Sequence, residues 1–299
     1  MAFLRRDSAT RLASGPRAAL AAILESPTFE LIPLRNALDQ AAALPSGSTV
    51  SVTASPAKGI EATLELSETL TSAGFRAVPH LSARMIRDRA HLKDLLDRLR
   101  DAGIDRAFVV GGDEEEPGDY PDGLALLLAI ADLGHGPSEI GIPCYPQGHA
   151  VIPDPALLRA LRDKAPFASY MTTQLCFDPP AIASFIAARR AEGITLPVKI
   201  GIPGVAEVPK LMAISARIGV RDTGRFLMKN SRFIGQLLTS GGIYRPTGLL
   251  EKLAPLIADP RADVVDLHVY TFNQVPSTEG WRRDYLRALT GAAEAAARA

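Results

Sequence analysis

Two acidic residues, Glu30 and Asp113, have sequence surroundings that suit catalysis. Glu30 lies in Thr-Phe-Glu-Leu-Ile-Pro (residues 28–33), which is otherwise largely apolar. A carboxylate that loses water in such a setting has a raised pKa and suits general-acid catalysis. Asp113 follows two glycines at the end of an apolar run, where a ligand can approach the backbone closely. Together the two carboxylates predict an enzyme that acts on a polar, ring-bearing small molecule.

Each carboxylate also has a purely structural interpretation. Glu30 could face solvent from an edge-like strand. Asp113 could be a turn residue or a helix N-cap before the acidic run at 114–116, and that run is itself typical of a solvated surface. The residue types alone leave these alternatives open.

Polar side chains also occur near the ends of most other apolar runs. A buried amide such as that of Gln174 needs hydrogen-bond partners and could recognise a heterocycle. His149 lies in a loop with Gly and Pro, which favours a ligand role, whereas His80 and His268 lie in runs typical of hydrogen-bonded or packed histidines. The remaining polar residues at run ends are Arg35, Thr53, Tyr145, Gln147, Tyr270, Asn273 and Gln274.

The elements that must position these residues alternate regularly. Eight short runs rich in Val, Ile and Tyr are bounded by Gly, Pro, Ser or Asp, which is typical of strands. They are 29–34, 49–55, 77–82, 107–112, 140–145, 169–177, 198–204 and 264–272. Between them, apolar residues recur at helical spacing, and several predicted helices end at a glycine suited to a left-handed cap. One predicted apolar face consists of Leu92, Leu95, Leu96, Leu99 and Ala102, and a second consists of Leu124, Leu127, Leu128 and Ala131. The capping glycines are Gly74, Gly103 and Gly193.

This alternation predicts an α/β fold, a (β/α)8 TIM barrel, in which the C-terminal ends of the strands meet at one cavity. A doubly wound open sheet is the alternative, but no GxGxxG follows the first strand, which speaks against its dinucleotide-binding form. We expect a single barrel domain over 1–299 with an N-terminal helix at 9–24. An elaborated seventh crossover is expected to carry helices at 221–239 and 247–258.

Composition excludes several classes of protein. Lys+Arg and Asp+Glu are both 33, and this zero net charge argues against a nucleic-acid partner. No run of about 18 apolar residues predicts a membrane span, and no signal-peptide core is present, so we expect no membrane partner and a cytoplasmic location. Cys144 and Cys176 form no metal motif and are expected to be buried free thiols. The oligomeric state stays open.

Short motifs at the strand ends, taken in order over roughly residues 28–275, resemble those of the methylenetetrahydrofolate reductase family. One such motif is a weak signal, whereas eight in the same order are specific. The motifs are Phe29-Glu30 with Pro33, Val50-Ser-Val-Thr53, Pro79-His80-Leu81, Gly112-Asp113, Tyr145-Pro146 with His149, Thr173-Gln174 with Phe177-Asp178, Ile202-Pro203-Gly204, and Tyr270-Thr-Phe-Asn273.

The resemblance implies a small-molecule folate substrate, NADH or NADPH as the hydride donor, and usually a bound FAD. It implies that Glu30 is the acid that helps to open the methylene bridge of the folate. Asp113 would contact the pterin and stabilise its positive charge. The other implied roles are pterin or substrate contacts for Gln174 and Tyr270, and flavin contacts for Thr53, His80, Tyr145 and His149.

Several positions depart from the family pattern. Gly111 stands where the family has an arginine. Counted without a gap, Ala156 and Asp163 stand where the family has an Asp and a Lys for FAD, although a one-residue deletion would put Lys164 in the lysine's place. Gln147 and Gln274 replace a Glu and an Arg. Because cations suit a pyrophosphate, we expect weak or absent FAD and direct hydride transfer from NAD(P)H.

Two other classes of function fit the same residues. One is a folate-binding methyl-transfer barrel without a redox step. The other is a non-catalytic folate-binding relative that has lost its flavin.

Overall fold

The computed structural model describes residues 12–217 and 242–297, and side chains within 12–213 and 242–291. Eight parallel strands form a closed barrel, and a two-stranded antiparallel sheet lies outside it. The barrel strands are β1 (Thr28–Leu31), β2 (Thr49–Val52), β3 (Arg76–Ser82), β4 (Arg106–Val110), β5 (Glu139–Cys144), β6 (Tyr170–Thr173), β7 (Val198–Pro203) and β10 (Val264–Tyr270). The small sheet pairs β8 (Ala206–Glu207) with β9 (Ile243–Tyr244).

Helices connect these strands. They are α1 (Ser14–Glu25), α2 (Ala37–Ala41), α3 (Gly59–Ser72), α4 (Arg89–Asp101), α5 (Gly123–Leu133), α6 (Asp154–Lys164), α7 (Pro179–Ala191), α8 (Val208–Arg217), α9 (Thr247–Ile257) and α10 (Val275–Ala297). Short 3-10 turns follow β3 at Ala83–Met85 and α6 at Ala165–Phe167. None of the helices in these described ranges is long and apolar enough to cross a membrane.

The strands follow one another around the barrel in chain order, and β10 closes the ring by pairing with both β7 and β1. This confirms the predicted TIM barrel and excludes the open sheet. In the closing register Glu30 lies beside Tyr270 on one side and beside Ser51 on the other. The first and the last strand of the barrel therefore bring their polar residues together.

The main hydrophobic core lies between the barrel and its helices. The predicted face of α4 is confirmed, since Leu92, Leu95, Leu96 and Leu99 are all buried. Burying such a side chain contributes about 1.5–3 kcal/mol. The predicted face of α5 is confirmed at Leu127 but is wrong at Leu128, which is 49% exposed, and at Ala131, which is also exposed. The other large apolar residues buried on this helix are Leu126 and Ile130.

Side chains fill the barrel near the N-terminal ends of its strands. Phe108, Val78 and Tyr170 form an apolar cluster there. The ammonium of Lys199 lies 3.8 Å from the centre of the Tyr170 ring and 3.5 Å from carboxylate oxygens of Glu139 and Asp266. Active sites of TIM barrels lie at the opposite end, where the C-terminal ends of the strands meet.

Three predicted glycine caps and two predicted helices are found in the structure, whereas β8, β9 and α8 were not predicted. Gly74, Gly103 and Gly193 have φ angles of 87°, 71° and 81°, the left-handed conformation of a helix C-terminal cap. The predicted helix at 247–258 is α9, and the N-terminal helix is α1. The helix predicted at 221–239 lies outside the described residues, and the single-domain assignment stays a prediction.

Candidate active site

A cavity of about 1280 Å³ opens at the C-terminal ends of the barrel strands. The lining residues that the sequence had singled out are Glu30, Thr53, His80, Asp113, Tyr145, Gln147, His149, Gln174, His268 and Tyr270. Arg35, Asn273 and Gln274 are not among the described residues that line it. Asn273 instead exchanges two hydrogen bonds with the backbone of Ile32, so it fixes the end of β1. Most of the predicted residues thus lie around one space.

Glu30 projects from β1 into this cavity, and its side chain is 14% exposed. Its Oε2 atom lies 3.0 Å from Nε2 of His268 on β10. The backbone carbonyl of Glu30 accepts a hydrogen bond from the hydroxyl of Thr271, just beyond β10. The carboxylate is therefore held inside the barrel mouth, and the alternative of a solvent-facing Glu30 is wrong.

His268 is the partner that sequence reasoning missed. Its burial was expected, and it is 3% exposed. Its ring lies 4.9 Å from that of Tyr270 and 6.3 Å from that of Phe108, measured between ring centres. No local pattern marks it, because its carboxylate partner comes from the other end of the chain.

His80 lies on β3, close to the Glu30–His268 pair. Its Nε2 atom is 2.8 Å from the hydroxyl of Ser51, and its ring packs 4.9 Å from that of Phe108. Burial lowers the pKa of His80 to about 4; Glu30 acts in the opposite direction and His268 adds to the lowering. His80 is therefore neutral at physiological pH and can exchange a hydrogen bond with a ligand without adding charge.

Two tyrosines border the cavity. The Tyr270 hydroxyl donates to the Thr173 carbonyl at 3.2 Å, and burial raises its pKa well above 10. Burial, with smaller contributions from Cys144 and Asp113, raises the pKa of Tyr145 to about 12. The Tyr145 ring meets that of His149 edge to face at 5.4 Å. Both phenols therefore stay protonated and offer hydrogen-bonding and stacking surfaces.

Gln174 follows β6 and is fixed on one side only. Its backbone N–H donates to the Cys144 carbonyl, and its side-chain Oε1 accepts from the Leu175 N–H, both at 2.8 Å. Within the described ranges its amide nitrogen has no partner. A ligand ring that accepts hydrogen bonds would satisfy it.

Asp113 lies on the loop after β4 and is exposed at the rim of the cavity. It does not cap a helix, because α5 is capped by Asp122, whose side chain accepts from the N–H groups of Leu124 and Ala125. The N-cap alternative for Asp113 is therefore wrong. In the part of the chain that the structure describes, no side chain or N–H is hydrogen-bonded to the Asp113 carboxylate, which leaves it available to a ligand.

One buried cation lines the cavity without a counter-charge. Lys164, at the end of α6, is 9% exposed and makes no ion pair within the described ranges, and burial lowers its pKa. Asp163 also lines the cavity but is exposed. Arg189 on α7 is buried too; it pairs with Glu192 at 2.7 Å, while its Nε has no partner among the described residues. Lys164 is thus suited to hold an anionic group.

The positions that depart from the family pattern also lie here. Gly111 and Ala156 line the cavity, and a Cβ atom built on Gly111 would meet nothing within 4 Å. Within the described ranges, the cations that line the cavity are Lys164, Arg189 and Arg159. A pyrophosphate favours several cationic donors, and this set fits a dinucleotide only in part, because Arg189 is paired with Glu192 and Arg159 is exposed. Among the described residues, no group of three or more His, Cys, Asp or Glu side chains could hold a metal ion.

Two solved structures that the chain resembles share little sequence with it. A putative phosphonomutase from Burkholderia cenocepacia has a TM-score of 0.46 and 13% identity, with 96% of this chain and 100% of that chain covered. A chitinase from Flavobacterium johnsoniae has a TM-score of 0.46 and 9% identity, with 89% and 94% covered. The sequence model of methylenetetrahydrofolate reductase, in contrast, matches residues 32–279, so the chain belongs to that family.

Proposed function

We propose that this protein reduces 5,10-methylenetetrahydrofolate to 5-methyltetrahydrofolate with NADH or NADPH. The observation that carries the proposal is the Glu30 carboxylate, held in the mouth of the barrel at 3.0 Å from His268. The family match begins two residues after Glu30, so the geometry supports Glu30 independently of that match. We assign the reaction to the cytoplasm, where the free thiols of Cys144 and Cys176 stay reduced.

The reaction needs a proton donor and a site for positive charge. Glu30 would protonate one of the two nitrogens that the methylene group bridges, so that the ring opens to an iminium cation. Asp113 would stabilise the positive charge of the pterin. Gln174 would donate its free amide N–H to the pterin, and Tyr270 would border it. The nicotinamide supplies the hydride that converts the iminium carbon to a methyl group.

We further propose that FAD is bound weakly or not at all, so that the hydride passes directly from NAD(P)H. Thr53, His80, Tyr145 and His149 would then contact the nicotinamide dinucleotide, and Lys164 its pyrophosphate. Each charge-assisted hydrogen bond contributes roughly 1.5–3 kcal/mol. Loss of the single arginine at Gly111 would thus lower flavin affinity roughly ten- to hundredfold.

The flavin proposal is tested by the absorbance spectrum of the purified protein together with an NAD(P)H oxidation assay. We expect no flavin bands and folate-dependent oxidation that added FAD does not increase. Gly111→Arg should raise FAD affinity, because open space surrounds the glycine. A yellow protein with stoichiometric flavin would refute the proposal.

The role of Glu30 is tested by Glu30→Gln. This variant should lose two or more orders of magnitude in kcat, since general-acid catalysis contributes about 10²–10⁴-fold, while it still binds the folate. Glu65→Gln, at an exposed position of α3, is the control and should keep wild-type activity. An active Glu30→Gln protein would mean that the acid lies elsewhere.

The same assays separate the two alternatives. A methyl-transfer barrel would consume the folate without oxidising NADH or NADPH. A non-catalytic relative would bind the folate and show no turnover with either nicotinamide donor. Stereospecific oxidation of the nicotinamide that depends on methylenetetrahydrofolate would exclude both.

A further inference from the structure

The loop that carries Asp113 is fastened by one arginine from the neighbouring strand end. Arg84 lies in the 3-10 turn after β3, and its guanidinium donates to three backbone carbonyls of the loop between β4 and α5. Nε donates to Glu114 O at 2.5 Å, Nη2 to Glu115 O at 2.7 Å, and Nη1 to Pro121 O at 3.4 Å. One planar group thus joins two separate segments of the loop.

The main chain around Arg84 binds the same loop. The Arg84 N–H donates to Gly111 O at 3.0 Å, and the Gly118 N–H donates back to Arg84 O at 3.2 Å. Next along the chain, the Asp119 N–H donates to Arg87 O at 2.9 Å. The residues from Gly111 to Pro121 are therefore attached to the end of β3 at both ends and in the middle.

Two glycines allow the backbone of the loop to approach the end of β3 closely. Gly112 has a φ of 95°, and a Cβ there would lie 2.1 Å from Oγ of Ser82. A Cβ on Gly118 would lie 2.1 Å from the carbonyl oxygen of Ile86. The backbone of the loop therefore lies directly against the end of β3, without side chains between.

The acidic side chains of the loop after β4 do not stabilise its shape. It carries Asp113, the run 114–116 and Asp119, all acidic, and like charges this close repel one another. Within the described residues no hydrogen bond fixes the Asp113 carboxylate itself. Its place at the cavity thus depends on the backbone of the loop, which is held by these main-chain hydrogen bonds and by the Arg84 guanidinium.

We propose that Arg84 is a positioning residue that fastens this loop so that the Asp113 carboxylate stays at the rim of the cavity. The inference rests on the proposed function, in which Asp113 stabilises the charged pterin. Arg84 acts through Asp113, since it is not itself among the described residues that line the cavity.

The test compares Arg84→Ala and Arg84→Lys with a matched control, Arg87→Ala. The Arg87 side chain is exposed and has no partner in the described part of the chain. Arg84→Ala should raise KM for methylenetetrahydrofolate and lower kcat, each by roughly tenfold or more, because small displacements of a positioned group cost up to about 100-fold. Arg84→Lys should recover only part of this loss. Its ammonium can donate to one loop segment but cannot bond both, as the guanidinium does.

A double-mutant cycle shows whether Arg84 acts through Asp113. In an Asp113→Asn background, Arg84→Ala should cause little further loss. Losses that multiply would overturn the proposal, as would an Arg84→Ala protein with the kinetics of Arg87→Ala. Amide hydrogen exchange over residues 114–121 should be faster in Arg84→Ala than in the control. If the wild type reduced no folate, the proposed function would fail, and the exchange rates would still decide whether Arg84 fastens the loop.

Discussion

Glu30 and His268 are hydrogen-bonded although 238 residues separate them in the chain. Glu30 could be found from sequence because a charge interrupts an apolar run. His268 could be expected only as a buried strand residue, since nothing around it specifies a carboxylate from β1. The contacts of Arg84 with the loop after β4 could not be predicted for the same reason, since they join residues about 30 positions apart. Residue identity predicts which groups can react, whereas their partners depend on contacts between distant strands.

Burial of the neutral His80 imidazole predicts a pH dependence of stability. Its pKa is about 4 in the folded protein and 6.5 as an ordinary histidine. Between these values the unfolded chain binds a proton that the folded protein does not, so stability falls as the pH drops from 6.5 to 4. His80 can account for up to about 3 kcal/mol of this loss.

The measurement is urea unfolding of the wild type and of His80→Asn across that range. The variant lacks the titrating group, so its unfolding free energy should fall less between pH 6.5 and pH 4. Above pH 7.5 the difference between the two proteins should be constant. A difference that stays constant down to pH 4 would contradict the assignment.

At the scale of elements, the sequence predicted what depends on local pattern. All eight barrel strands were expected, because β-branched runs between turn residues are a local signal. The face of α5 was not, since Gly-Leu-Ala-Leu-Leu-Leu-Ala-Ile is apolar all round and its periodicity selects no side. The sequence likewise left open whether Asp163 or Lys164 stands in the place of the family's lysine, and in the structure Lys164 is the buried one. In both cases, packing against neighbouring elements determines which side chains are buried.

Helix α10 is attached to α1 through Arg282, and the contribution of this contact to the free energy of unfolding can be measured. Arg282 is buried, forms a bidentate pair with Glu279 at 2.6 and 2.7 Å, and donates to the carbonyl of Leu24 at the end of α1. Arg282→Ala would leave the Glu279 carboxylate buried without its bidentate partner. It should lower the free energy of unfolding by about 3–5 kcal/mol in urea titrations.

Arg283 provides the control on the same helix. It contacts the same Glu279 carboxylate at 3.8 Å, but its side chain is 66% exposed. Arg283→Ala should change the free energy of unfolding by less than about 1 kcal/mol, because exposed ion pairs contribute little. Equal effects of the two substitutions would show that Arg282 does not hold α1.

At the scale of the whole molecule, the sequence favoured a closed barrel over an open sheet but could not establish that the barrel is closed. A closed barrel and an open sheet share the same alternation of strands and helices. They differ in whether β10 pairs with β1, a contact that no local pattern specifies. The order of the strand-end motifs resolved this by resemblance, and the register of the closing pair then brought Glu30 next to Tyr270.

The pairing of β1 with β10 also determines when during synthesis the Glu30–His268 contact can form. Glu30 is made early, and His268 is added 238 residues later. At about 5–20 residues per second, a ribosome takes roughly 12–48 s to cover that distance. A nascent chain cannot assemble the Glu30–His268 pair until its final barrel strand has emerged, so a product terminated before β10 would lack the hydrogen-bond partner of Glu30 altogether.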